Sequence, residues 1–149
     1  MEISKKTIEV LKDAGWYEGR KIDIAENVKF LEERGFEVLE SAKKFMEEFG
    51  ELEINIESIR HDGTIKVTEH TTCIKDVVGT FDSESFGLER YISEKVMPVG
   101  RLYNYEMDIY ISESGRVFKN TGWLGDSVWE AWDNIINEKG TILWDKFKE

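Results

Sequence analysis

Leu52-Glu53-Ile54-Asn55-Ile56, then His61-Asp62-Gly63, then Ile65-Lys66-Val67-Thr68 is the stretch that decides the fold class. The first run alternates apolar and polar residues strictly, as a strand with one buried face does, and the last run alternates again. Asp62-Gly63 between two such runs is a hairpin signal, because both residues accept the positive φ of a tight turn. A β-hairpin is therefore expected near the middle of the chain.

Upstream the apolar period is helical. Ile8, Leu11 and Ala14 follow Ser4, a candidate N-cap, and Gly15 stands where that helix would stop. Asp23 and Glu26 have capping-box spacing ahead of Val28, Phe30 and Leu31, with Gly35 as the next stop. Leu39, Ala42, Phe45, Met46 and Phe49 form the clearest apolar face, closed by Gly50. A left-handed glycine is expected at each of these three ends.

Downstream, Val77-Val78-Gly79-Thr80-Phe81 reads as a short strand or buried loop, and Ser83 or Ser85 as the cap of a helix carrying Leu88, Tyr91, Ile92 and Val96. Met97-Pro98-Val99-Gly100 would end that helix. A second hairpin is expected from Met107–Ile111 to Val117-Phe118, turning at Glu113-Ser114-Gly115. A last helix starts near Asp126-Ser127 and carries Val128, Trp129, Trp132, Ile135 and Ile136. The stretch from Thr141 to Phe147 is apolar enough to pack. Helices followed by hairpins give an α+β fold, a single domain over residues 1–149 with antiparallel hairpins in a sheet packed against several helices.

Composition narrows the function. The 149 residues hold 31 acidic and 20 basic side chains, a net charge of −11 that divides into −5 over residues 1–75 and −6 over 76–149. A pI near 4.8 opposes nucleic-acid binding, which calls for a basic stripe, and suits a basic partner. Eighteen aromatic residues supply a core that a disordered acidic chain would lack. No apolar run approaches a membrane span, and Met1-Glu2-Ile3-Ser4-Lys5-Lys6 leads directly into an amphipathic pattern with no signal-peptide core. A soluble, cytoplasmic protein is expected.

Catalytic and metal readings find little support. His61 and His70 flank the first hairpin without a metal-binding spacing, and both read as surface histidines. Cys73 could pair with His70 as a nucleophile, but a lone cysteine is commonly a small buried hydrophobe. The glycines match no phosphate-binding loop. Carboxylate pairs such as Glu32-Glu33, Glu47-Glu48, Glu51/Glu53 and Glu106/Asp108 could perform acid–base work, yet in so acidic a chain they read as solvated faces. No catalytic residue, metal or cofactor is expected. Tryptophan is the informative excess: four of five fall in the last 27 positions. Trp129 and Trp132, three apart, share a helix face and read as core, whereas Trp123, in a glycine-bracketed loop, is the one expected at the surface.

Two segments carry a resemblance. Asp13-Ala14-Gly15-Trp16-Tyr17-Glu18-Gly19-Arg20-Lys21-Ile22-Asp23 resembles the "AGWxxGRxxD" opening of the third branch of the SUKH superfamily, and Phe45-Met46-Glu47-Glu48-Phe49-Gly50-Glu51-Leu52 resembles its "FLxxFGGL" helix end. Met97-Pro98-Val99-Gly100, Gly115-Arg116-Val117-Phe118 and Leu124-Gly125-Asp126-Ser127 follow in the family's order. The match spans about residues 8–138. Glu51 departs from it, standing where the pattern often has a second glycine.

The resemblance implies an immunity protein of a bacterial polymorphic-toxin system. Such a protein binds the C-terminal toxic domain of a cognate secreted toxin, often a nuclease, with LXG-type toxins of Gram-positive bacteria as a source. It implies no catalysis, nucleic-acid binding or membrane binding by the immunity protein itself. Gly15, Trp16, Gly19, Arg20, Pro98 and Gly100 then read as fold-specifying, and exposure plus charge nominates Asp82, Glu84, Glu89, Glu106, Asp108 and Trp123 for the partner. The rival readings are an intracellular regulatory adaptor and a carboxylate-dependent hydrolase.

Overall fold

Ser4 opens the first helix, α1 (Lys5–Asp13), by accepting the Thr7 N–H on its Oγ at 3.2 Å. The structure, a computed structural model, describes residues 2–78 and 88–149, without the side chain of Glu89. At the end of α1 the chain turns through Gly15 at φ +115°, where the N–H groups of Gly15 and Trp16 return to the carbonyls of Lys12 and Leu11. α2 (Ala25–Glu33) ends the same way at Gly35, φ +85°. In both, the reversal satisfies carbonyls that the helix would otherwise leave open, and a Cβ at that φ would strain it.

Two helix signals resolve differently from expectation. Asp23 accepts the Ala25 N–H at 2.9 Å, but Ile24 occupies the cap position, so Glu26 falls one residue short of the reciprocal contact. α3 (Glu40–Phe49) stops at Gly50, yet Gly50 is extended, with φ −68° and ψ 159°. The left-handed residue is Glu51, at φ +59°. Gly50 is required for a different reason: a Cβ there would stand 2.4 Å from the Met46 carbonyl oxygen.

Seven strands form one antiparallel sheet in strict chain order: β1 (Glu53–Ile59), β2 (Ile65–Thr71), β3 (Val96–Leu102), β4 (Met107–Ser112), β5 (Val117–Lys119), β6 (Gly122–Gly125) and β7 (Ile142–Leu143). Both expected hairpins are present. The run read as a strand or loop at 77–81 is instead helical at its start, in α4 (Ile74–Val78), and Gly79–Phe81 lie outside the described residues. The helix expected over Leu88–Val96 is, among the described residues, a single 3₁₀ turn at Leu88–Arg90. Val96–Gly100 then belongs to β3, because β-branched Val96 and Val99 suit a pleated surface and the bulge between Pro98 and Gly100 accommodates a proline with no N–H to give. Ser83 and Ser85 lie outside the described residues.

The sheet's inner face carries Ile54, Ile56, Leu102, Ile109, Ile111, Val117 and Leu124, and it packs against Leu11, Phe45, Phe49 and Trp132 from the helices. The last helix, α5 (Val128–Ile136), is capped by Ser127, whose Oγ accepts the Glu130 N–H. Trp132 is fully buried and Trp129 half-buried, so this face of α5 is core. Among the described residues, the outer face is covered at one end only. Tyr110 and Phe118 lie under Leu88, Ile92, Trp144 and Phe147, and the Trp144 ring stacks on Phe118 and on Tyr91, centroids 5.5 and 4.4 Å away. The result is a single α+β domain.

Candidate partner-binding surface

Register decides what the uncovered end of the outer face displays. Glu53 pairs with Thr71, Asn55 with Glu69, Glu57 with Val67 and Ile59 with Ile65. Side chains alternate between faces, so all eight point to one side, and that side is solvent for seven of them. Ile59, Ile65 and Val67 are 80, 60 and 44% exposed. Sequence patterning had assigned Ile65 and Val67 to the core. The core face of β2 is instead Thr68 and His70, opposite Ile56 and Ile54.

The same face continues to Tyr105, in the β3–β4 turn where Tyr103, Asn104 and Tyr105 all have positive φ. That turn is tied to β2 by a reciprocal pair, Asn104 N–H to the Glu69 carbonyl and Glu69 N–H to Asn104 Oδ1, each 2.8 Å. Partial burial and then the charges of Glu53, Asp76 and Glu69 raise the Tyr105 pKa, so its hydroxyl lies within the field of these acids. The next strand brings Arg101 opposite Thr71, and Asp108 meets its Nε at 3.3 Å.

His70 corrects the surface assignment: it is buried, its Nδ1 accepts the Tyr103 N–H at 3.0 Å, and desolvation pushes its pKa down to about 4. A neutral ring that accepts at Nδ1 carries its proton on Nε2, which has no hydrogen-bond partner among the described residues. The imidazole lines a cleft of about 380 Å³ together with Tyr103, Glu106 and Glu138. Cys73 lies toward the other face, its Sγ donating to Glu53 Oε1 at 3.2 Å. Burial first, then the bond to Glu53 and the charges of Glu53 and Glu51, push its pKa up to about 12. A thiol held protonated is a poor nucleophile, and Glu53, Cys73 and Asp76 stand close enough together to surround an ion. His61 is exposed.

The motif residues build one corner of the core. Trp16 stacks on Phe49, meets Trp129 edge-on at 5.2 Å and donates from Nε1 to Glu48 Oε2 at 3.1 Å. Arg20 Nη1 donates to the Glu48 carbonyl at 2.8 Å, across the Tyr17–Arg20 turn that Gly19 makes at φ +82°. Pro98 and Gly100 flank the β3 bulge.

Of the nominated partner residues, the structure describes the side chains of Glu106, Asp108 and Trp123. Asp82 and Glu84 lie outside the described residues, as does the Glu89 side chain. Glu106 is exposed at the mouth of the His70 cleft, while Asp108 is half-buried against Arg101. Trp123 belongs to strand β6 and not to a loop; it is half-buried, with Nε1 bonded to Asp126 Oδ1 at 2.9 Å. Glu57, Glu69 and Ile59 were not singled out, although the polar positions of β1 already alternated in sequence.

Fold and surface define a small acidic α+β domain with one end of its sheet left open to solvent. The chain belongs to the SUKH-3 immunity protein family, which matches residues 3–138. Comparison with curated proteins and with solved structures returns no match. Membership supports an immunity-protein role, with a cognate toxin as the implied partner and no catalysis of its own. No helix among the described residues is long and apolar enough to cross a membrane.

Proposed function

We propose that this protein neutralises a nuclease, the C-terminal toxic domain of a cognate secreted toxin, inside the cell that makes both. Family membership supports the immunity role. The observation that carries the finer reading is the net charge of −11. A nuclease needs a basic surface to hold phosphates, and an acidic protein associates rapidly with such a surface and covers it. Acidic side chains, the exposed Glu106 and the nominated Asp82, Glu84 and Glu89 among them, steer the encounter, and apolar side chains hold the complex.

Co-expression with the toxic domain encoded by the neighbouring gene tests this. Survival of the cells, a complex that co-purifies, and loss of nuclease activity in that complex are the expected results. A neighbour that is toxic and unrelieved by this protein would remove the immunity reading. Rescue from a toxin with no nuclease activity would keep the role and remove the nuclease.

A further inference from the structure

The two ends of the outer sheet face differ in a way the fold does not need. Over β4 and β5 the face is closed by Leu88, Ile92, Trp144 and Phe147. Over β1 and β2 it is bare, and three β-branched apolar side chains stand in water there: Ile59, Ile65 and Val67. β1 is also an edge strand, paired among the described residues with β2 alone. An exposed apolar edge is an aggregation liability unless charges guard it or a partner covers it.

The charges that β1 and β2 place on this face are of one sign, and the cation that borders them, Arg101 on β3 opposite Thr71, is bridged to Asp108. Register places Glu53, Glu57 and Glu69 beside the three apolar residues and no lysine or arginine on β1 or β2 among them; Lys66 falls on the opposite side, across from Ser58. Asp76 adds a further carboxylate near Tyr105. Apolar residues bordered by charge have the anatomy of an interface: a core that excludes water and a polar rim.

We propose that the toxin's toxic domain seats a basic patch on this face, with Ile59, Ile65 and Val67 as the buried contacts and Glu53, Glu57 and Glu69 as the rim. The assignment rests on the immunity reading and adds the surface used. The charge complementarity fixes the occupant. A second copy would bring another acid-rich face with the same net −11, and a nucleic acid would bring phosphates; the rim repels both. Two seven-residue strands make a strip about 24 Å long and about 10 Å wide, well below the roughly 800 Å² per partner of a stable complex, so the hairpin forms the centre of a larger footprint.

Three variants decide it: Glu57→Lys with Glu69→Lys, Ile65→Ser with Val67→Ser, and a control, Glu32→Lys with Glu33→Lys on the exposed side of α2. All six positions are exposed, so the variants fold, which circular dichroism verifies. Binding kinetics are measured against the catalytically inactivated toxic domain from the neighbouring gene. The hairpin charge reversal slows association about 10-fold at low salt, with the gap closing at high salt. The serine pair speeds dissociation about 10-fold or more at any salt. The control changes either rate less than about 2-fold. Wild-type binding with unchanged hairpin variants, or an equal effect from the control, overturns this surface and leaves the immunity role standing. A wild-type chain that neither binds nor protects removes both. A wild-type dimer that the serine pair dissociates would assign the face to a second copy and overturn the proposal.

Discussion

Thr7 Oγ1 donates to Asp133 Oδ1 at 2.8 Å, joining residues 126 apart in sequence. The same carboxylate accepts the Ser4 N–H, Asn137 Nδ2 and Lys139 Nζ at 3.0–3.1 Å. It is buried between α1 and α5. Burial alone would raise the Asp133 pKa; the bonds from Thr7, Ser4 and Lys139 outweigh it and hold the carboxyl well below the usual range. Asp133→Ala should therefore cost about 3 kcal/mol, because it strands several buried donors at once. Thr7→Val, which removes one of them, should cost about 1 kcal/mol. Urea denaturation at pH 7 measures both. A carboxylate with a depressed pKa contributes stability above its unfolded value near pH 4 and loses it as the pH falls further. Asp133→Asn should flatten the acid limb below pH 4.

His70 acts in a different pH window. Its imidazole is held neutral, with a pKa down at about 4 against 6.5 in the unfolded chain. The unfolded state then binds the extra proton between those values, so this contribution is intact above about pH 6.5 and lost as the pH falls towards 4. The loss amounts to about 3 kcal/mol at most. His70→Gln should be less stable at pH 7 and lose less than the wild type between pH 7 and 4.5. Parallel stability curves for the two would refute the assignment.

Cys73 should resist alkylation. A thiol pushed up to about 12 presents almost no thiolate at pH 8. Reaction with a disulfide reagent at that pH should run about 100-fold or more below the rate in denaturant. Glu53→Gln, which removes the facing charge and weakens the acceptor, should bring part of that reactivity back. A native rate close to the denatured one would show that the thiol is not held.

Glu51 is the non-glycine residue that carries the reversal after α3, at φ +59°. Its carboxylate accepts from Asn27 Nδ2 at 2.9 Å, an exposed contact of small value. Glu51→Gly should raise stability by about 0.5–1 kcal/mol, and Glu51→Val should lower it by about 1 kcal/mol. Urea midpoints at constant m-value test the pair.

Signals confined to a few neighbouring residues were readable in sequence. Ser4 and Ser127 cap the helices they were expected to cap, and Gly63 and Gly115 turn the two hairpins at φ +86° and +92°, while Asp62 keeps a negative φ. What depends on pairing was not readable. Alternation in Ile65-Lys66-Val67-Thr68 turns the apolar pair inward, whereas the register with β1 puts Thr68 and His70 inside instead. β3 was hidden for a related reason: Val96–Leu102 is a strand because β4 pairs along it, while its own residues, preceded by Leu88, Tyr91 and Ile92, are equally compatible with a helix end. The family motif told more about Trp16 and Arg20 than about any surface. Those side chains are occupied with Glu48 and the aromatic core, and partner contacts leave no comparable trace in one sequence.

The strict order of the meander sets a timetable for synthesis. Most strands leave the ribosome beside the strand made just before them, so those hairpins can close as they emerge; β2 and β3 are separated by a longer insertion, and β6 and β7 by α5. α1 packs on β1 and also on α5, and the second of these comes last. Its partner carboxylate, Asp133, is made on the order of ten seconds later at ordinary elongation rates. Through that interval Leu11, wholly enclosed in the finished domain, has no α5 to rest against. A chain truncated before α5 should therefore give no protection, and the delay between translation and shielding is the time needed to complete that last helix.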